Sequence, residues 1–340
     1  MFGSDNAAPA HPAILEAIAR ANTGVASSYG ADDWTKRAEA LLRETFETEC
    51  AVLLVATGTA ANALSLASLT PPWGAVITHR HAHIVEDEGG APEFYMGGAK
   101  LLLVDGAHGK IAPAALKKEA AKYSRPWVHG AQPFAVSISQ ATETGAVYMP
   151  AEISALSEVC RAANLKLHMD GARFANAVAS TGATPAELSW KAGVDVLSFG
   201  ATKNGALCVE AVVCFDPAAA TQLPHLRKRA GHLFSKHRVL GAQMAAYLEG
   251  GLWLELARHS NARARELAGM LTRAGGVLAH PVEANETFVR LDGERASALR
   301  SAGAAFHPWA TDGADIYRFV ASWATSEADI EACRKALEKI

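Results

Sequence analysis

The residues in this chain best suited to chemistry are a lysine, an aspartate and an arginine, each just beyond the end of an apolar run. Val194-Asp-Val-Leu-Ser-Phe199 reads as a buried strand of a parallel sheet. It passes through Gly200 and small residues to Lys203. Lysine is costly to bury, so a lysine at the end of a core strand needs a reason. A desolvated amine loses its proton more easily and becomes a nucleophile toward an aldehyde such as that of pyridoxal phosphate. Snorkelling from the strand end to water is the alternative for the same segment.

Upstream, Lys166-Leu-His-Met-Asp170-Gly-Ala-Arg173 reads as a strand that ends in Asp170 and leads into a helix. The chain between Asp170 and Lys203 suffices for one helical crossover, so the two strands can be parallel neighbours. A carboxylate at a strand's carboxyl end sits where open α/β sheets bind ligands. Pyridoxal phosphate needs a carboxylate beside its ring nitrogen, because the protonated ring is the better electron sink. Asp170 fits that role, or that of a helix N-cap. Arg173 fits a ring hydroxyl, a substrate carboxylate, or a surface ion pair.

A third segment, Ala51-Val-Leu-Leu-Val-Ala-Thr57-Gly58-Thr59, is a buried strand meeting a turn before an alanine-rich helix. Glycine allows close backbone approach, and a new helix offers unpaired N–H groups to a phosphate. Gly58 and Thr59 are therefore candidate phosphate contacts. Neither a P-loop lysine nor a G-x-G-x-x-G pattern is present, so nucleotide fingerprints are not supported.

Together these segments resemble the low-specificity L-threonine aldolases, within the β-eliminating lyase group of fold type I. The resemblance covers nearly the whole chain. It includes Gly3-Ser-Asp-Asn6, Ser28-Tyr29-Gly30-Ala-Asp-Asp33, Ala56–Thr59 and His83-Ile-Val-Glu-Asp-Glu-Gly-Gly90. Met169-Asp-Gly-Ala-Arg173 and Ser198-Phe-Gly-Ala-Thr-Lys-Asn-Gly205 are its most specific parts. It implies that Lys203 forms a Schiff base with pyridoxal phosphate, that Asp170 partners the ring nitrogen and that His83 stacks on the ring. It implies phosphate contacts from Gly58 and Thr59, and a substrate carboxylate held by Ser4, Arg173 and Arg318. Lys228 matches an active-site lysine. Tyr29 matches a tyrosine supplied by the neighbouring subunit, which implies a homodimer or homotetramer with shared sites. The implied reaction splits L-threonine, L-allo-threonine and related β-hydroxy-α-amino acids such as phenylserine into glycine and an aldehyde.

The chain departs from the family in one stretch. Where some members carry Thr-His-Asn-Gly, with its histidine as acid or base, this chain has Thr142-Glu143-Thr-Gly145. Glu143 takes that proton if burial raises its pKa, and is otherwise a solvated loop residue. His83 is the other candidate base. Two further readings stay open. One is β-elimination on the same scaffold, releasing ammonia and pyruvate. The other is a non-catalytic regulatory module, although such modules carry a fused DNA-binding segment and none precedes Ser4.

To hold these residues, the first two-thirds of the chain must form an α/β sheet. Strand-like runs fall at 51–55, 75–79, 100–104, 134–139, 166–170, 194–199 and 209–215, with helical patterns such as 35–46 and 151–163 between them. A helical stretch over 236–274 breaks at Gly250-Gly251 and leads to strands near 287–291 and 316–322. Ser326-Glu-Ala-Asp329 reads as a capping box opening a last helix with Ile330, Cys333, Leu337 and Ile340 on one face. The expected architecture is a fold type I α/β protein. An N-terminal arm and a large domain with a mostly parallel sheet span 1–245, and a smaller C-terminal α+β domain spans 246–340.

The bulk numbers fit an enzyme of this kind. The 340 residues are 50% hydrophobic and 20% charged, with a net charge of −3, so no nucleic-acid surface is implied. No apolar run approaches the ~18 residues of a membrane span. The N-terminus lacks the basic and apolar regions of a signal peptide. The five cysteines show no C-x-x-C spacing and read as reduced core thiols of a cytoplasmic protein. His79-Arg-His81-Ala-His83, followed by Glu86-Asp87-Glu88, has the look of a metal site, but a loop there would scatter the side chains. No metal is expected.

Overall fold

The apolar runs form one seven-stranded sheet: β1 (Ala51–Val55), β2 (Gly74–His79), β3 (Lys100–Val104), β4 (Gln132–Ser139), β5 (Lys166–Gly171), β6 (Val196–Gly200) and β7 (Glu210–Cys214). The structure, a computed structural model, describes residues 2–123, 128–309, 313 and 315–339. The strand order is β1-β7-β6-β5-β4-β2-β3. Only β7 runs against its neighbours, so the carboxyl ends of β1, β2, β4, β5 and β6 share one edge with the amino end of β7. Every residue of β2, β6 and β7 is buried. Sheets covered on both faces select continuous apolar runs over alternation, which is why these strands were legible.

The crossovers are helical, among them Gly58–Leu69 after β1, Pro150–Ala162 before β5 and Phe174–Thr181 after β5. On one face the helices Asp33–Phe46 and Arg238–Leu248 cross closely. A Cβ on Gly241 would lie 2.5 Å from the Thr35 backbone nitrogen, so only glycine fits there. The strand containing Ser198 begins at Val196 rather than at 194, because Asp195 turns its carboxylate to the Leu167 N–H at 2.7 Å and to Lys166 at 3.2 Å.

A second, antiparallel sheet has the order β10-β11-β9-β8, with β8 (Val277–Leu278), β9 (Glu286–Arg290), β10 (His307–Pro308) and β11 (Ile316–Val320). Gly250 and Gly251, both at positive φ, break the helical stretch before it, and Leu252–Arg273 follows. Its own core contains Leu267, Leu271, Val289, Leu299 and Phe319, and also Phe2 from the start of the chain. Phe2 is tied there by bonds to Ala305 and Val320. The division into 1–245 and 246–340 is therefore our proposal for the domains, with residues 2–6 crossing it. The capping box forms as expected, Ser326 and Asp329 exchanging bonds at 2.9 and 3.2 Å. Ile330 and Cys333 are buried beneath that helix, and Ile340 lies outside the described residues. Three of the cysteines are buried, but Cys50 and Cys208 are only partly so.

Candidate active site

The shared strand edge opens on a cavity of about 390 Å³. Its lining includes Gly58 and Thr59 from the end of β1, His83 and Glu88 from the segment after β2, and Ser139 and Glu143 from the end of β4. Asp170 and Arg173 come from the end of β5, Lys203 from the turn after β6, and Glu210 from the start of β7. Six strand ends thus deliver chemistry to one place, the edge at which open α/β sheets bind ligands.

Lys203 is held by its neighbours. Phe199, at the end of β6, packs against Phe46, Phe174, Tyr247 and Trp253 with ring centroids 5.7–6.2 Å apart. Beyond it, Gly200 must be glycine, since a Cβ would lie 2.4 Å from the Ala172 carbonyl oxygen. The lysine sits in the short helical turn Thr202–Asn204. Asn204 donates to Tyr247 at 2.7 Å and to the Trp253 carbonyl at 2.8 Å, while the Ala201 N–H donates to Glu210 at 2.6 Å. Anchoring on both sides fixes where the amine is presented.

Asp170 is not a helix cap. The following helix begins at Phe174, and no side chain caps it. The Asp170 carboxylate accepts from the Ala172 N–H at 3.0 Å and from Asn62 Nδ2 at 2.8 Å. At the end of β1, Thr57 caps the helix Gly58–Leu69 by accepting from the Ala60 N–H at 3.1 Å. The N–H groups of Gly58 and Thr59 have no intrahelical acceptor and sit at the helix end that favours anions.

His79, His81 and His83 do not converge. The strand ends at His79, which bonds the Gly106 carbonyl. His81 pairs with Glu86 at 2.8 Å and His83 with Glu88 at 2.9 Å. The Glu88 bond raises the His83 pKa against the effect of burial. Glu143 is buried, not a solvated loop residue. One oxygen accepts from the His83 N–H at 2.9 Å and from Ser139 at 2.5 Å, and the other, Oε2, is buried without a partner. Burial pushes its pKa from the ordinary 4.5 to about 7.

That shift has a stability consequence. The unfolded chain releases the Glu143 proton near pH 4.5, whereas the folded chain holds it to about 7. Stability is therefore present at low pH and lost as pH rises through this window, on the order of 3 kcal/mol. Glu143→Gln has no such proton. Relative to the wild type, its melting temperature is expected to be more favourable at pH 8 than at pH 5. Thermal denaturation of both proteins at the two pH values checks this, and an equal difference at both would show that the carboxyl does not titrate there.

Arg173 reaches the cavity, but its guanidinium is engaged. It binds Asp5 through two bonds of 2.8 and 3.0 Å, and Glu286 lies 3.2 Å away. Burial alone would raise Asp5, but Arg173 and then Lys203 hold it below the usual carboxylate range. Arg318, on β11, lies beside Trp309, and its buried Nε has no partner. Ser4 caps the turn Asp5–Ala7, and its neighbour Asn6 lines the cavity. Tyr29 is 52% exposed, with the Lys228 ammonium 5.0 Å from its ring. Among the described residues, Ser4, Tyr29, Lys228 and Arg318 do not line this chain's cavity.

Sequence reading missed Asn62, Glu88 and Glu210. Glu210 had a signal, a carboxylate heading the apolar run Val209–Phe215. It is 7% exposed, and burial pushes its pKa to about 7.

Comparison with known proteins follows the same lines. The chain matches the beta-eliminating lyase family over residues 2–294. It is 44% identical to a low-specificity L-threonine aldolase of Pseudomonas aeruginosa, covering 100% of this chain and 96% of that protein. A low-specificity L-threonine aldolase from a Pseudomonas species is also 44% identical, over 97% of this chain and 94% of that one. The solved structure of a Leishmania major threonine aldolase superposes with a TM-score of 0.91 at 30% identity, covering 99% of this chain and 97% of the other.

Proposed function

The chain belongs to the beta-eliminating lyase family, alongside the low-specificity L-threonine aldolases, and on that footing we propose that it is a pyridoxal-phosphate-dependent aldolase. Its substrates are L-threonine, L-allo-threonine and related β-hydroxy-α-amino acids such as phenylserine, and its products are glycine and an aldehyde. The observation that carries the reading is the meeting of Lys203, Asp170 and His83 in one cavity with a helix N-terminus at its edge.

The donor set fits the cofactor. Lys203 would hold its aldehyde carbon, Gly58 and Thr59 its phosphate, and Asp170 its ring nitrogen, with His83 against the ring. When bound, pyridoxal phosphate supplies the sink for the electron pair released as the substrate's Cα–Cβ bond breaks. The protein's own part is to orient the substrate and move protons. Arg318, with its unpartnered Nε, is the cation available for the substrate carboxylate, with Ser4 and Arg173 as its further contacts. His83, or a water it holds, accepts the β-hydroxyl proton as the aldehyde leaves. Glu143 is the second proton carrier, a buried acid with its pKa near operating pH. Return of a proton to Cα gives glycine.

Product analysis tests the reading. Equal amounts of glycine and acetaldehyde are expected from L-threonine; ammonia and a 2-oxo acid in their place would move the protein to β-elimination. Arg318→Lys keeps the charge but loses the planar fork. A KM raised about tenfold or more is expected, with cofactor absorbance unchanged, because a lost charge-assisted bond is worth roughly 1.5–3 kcal/mol. Loss of cofactor at an unchanged KM would assign Arg318 to structure.

We further read the protein as cytoplasmic, in keeping with five free cysteines, and as a homodimer or homotetramer in which Tyr29 and Lys228 serve the neighbour's site. Both sit together and exposed, and neither lines this chain's own cavity. Mixing inactive Lys203→Ala and Tyr29→Ala subunits is expected to restore activity, because a hybrid dimer holds one site with both residues intact. Verified hybrids without activity would show that the sites are not shared.

A further inference from the structure

Behind His83 lies a polar chain with no assigned role. His83 Nδ1 is 2.9 Å from Glu88 Oε1. The same oxygen accepts from Asn62 Nδ2 at 2.8 Å, and Asn62 Nδ2 also lies 2.8 Å from Asp170 Oδ2. The two amide protons of Asn62 thus serve two carboxylates, one behind the imidazole and one behind the proposed ring-nitrogen position. The Glu88 side chain has no exposure, and its second oxygen has no partner. A buried carboxylate left half-satisfied is expensive unless it performs a task.

We propose that Glu88 is the positioning residue of the site: as a carboxylate it accepts a hydrogen bond from the Nδ1–H of His83, so that the imidazole presents a proton-free Nε2 to the cavity, and Asn62 locks this arrangement to Asp170. The logic is that of any acid–base histidine oriented by a buried carboxylate. Nδ1–H bonded to Glu88 fixes the ring and its tautomer. When Nε2 accepts a proton, the carboxylate stabilises the imidazolium. Asn62 can act in this way because it opens the second turn of Gly58–Leu69, with its amide between Glu88 and Asp170.

The charged groups facing His83 are Glu88, Asp170 and Lys203, with Glu143 on its backbone N–H. Glu88 and Asp170 raise its basicity, and Lys203 lowers it. Burial favours the neutral acid at Glu88. If Glu88 carried the proton on Oε1, it would donate to Nδ1 and force the His83 proton onto Nε2. The two arrangements are therefore opposite and distinguishable.

The role of Nε2 as the base rests on the aldolase reading, but the tautomer does not, so the two can fail separately. Nitrogen-15 NMR of histidine-labelled wild-type holoenzyme, at a pH above the His83 titration, reads the tautomer directly. The proton is expected on Nδ1 of His83, with Nε2 showing the shift of a bare nitrogen. A proton on Nε2 overturns the proposal, whatever the products of the reaction. In Glu88→Gln the same resonances are expected to titrate about one pH unit lower or more, because the opposite charge within ~4–6 Å is gone. The low-pH limb of kcat/KM should move with them, and Glu88→Asp should recover part of the shift. An unchanged His83 titration in Glu88→Gln likewise overturns the proposal. If that variant does not fold, the wild-type tautomer still decides.

Discussion

Lys203→Ala is expected to lose turnover of β-hydroxy-α-amino acids by on the order of 10³-fold or more, as removal of a covalent nucleophile does. The fold should survive. Lys203 sits in a turn whose anchors are other residues: the Phe199 cluster, the Asn204 bonds to Tyr247 and Trp253, and Glu210 on the Ala201 N–H. Truncating the side chain leaves all of these in place. The measurement is steady-state glycine release beside a melting curve. Activity near that of the wild type would return Lys203 to the snorkelling reading of the bare sequence.

The second large effect belongs to Asp170. Asp170→Asn removes the charge that would keep the cofactor's ring protonated, and kcat is expected to fall roughly 10²–10³-fold, as with other preorganised electrostatic contacts. The geometry adds a local cost. Both Asp170 oxygens face donors, the Ala172 N–H and the Asn62 amide, so an asparagine must turn its NH₂ toward one of them. Asn62 can flip to accept, but Glu88 then loses its donor. A modest drop in melting temperature should accompany the kinetic loss, with cofactor still bound. An unchanged kcat would reduce Asp170 to a structural ligand of its own turn.

These two residues were legible because they follow buried strands. A parallel sheet covered on both faces writes itself as apolar runs, and chemistry placed beyond such a run stands out against it. Asp170 and Lys203 were found this way, and the turn at Gly58 and Thr59 by the glycine that opens a helix. Glu210 escaped because it begins a strand that runs antiparallel, so the site takes that strand's first residue, not its last. Asn62 and Glu88 escaped for a different reason. An asparagine inside a helix and a glutamate among Glu86, Asp87 and Glu88 carry no periodic signal, and only the meeting of β1, β2 and β5 at one edge brings them within hydrogen-bond distance.

Arg173 shows the limit from the other side. Its spacing after Asp170 marks it as a site residue, and it does reach the cavity. Its guanidinium is nevertheless committed to Asp5, from a segment more than a hundred residues earlier in the chain, and lies beside Glu286 from the second sheet. Breaking a buried pair of this kind costs about 3–5 kcal/mol. Arg318 does not line the cavity, but its Nε is buried without a partner, so it is the less committed of the two cations, a difference invisible to spacing alone.

On the proposed function, Lys203 is the residue to which pyridoxal phosphate is attached. Borohydride reduction of the purified holoenzyme, followed by proteolysis and peptide mass spectrometry, tests it without reliance on any substrate. The expected result is a stable pyridoxyl mass on the peptide containing Lys203 and on no other lysine. Recovery of that peptide unmodified from loaded protein, or the added mass on Lys228 instead, would contradict the account.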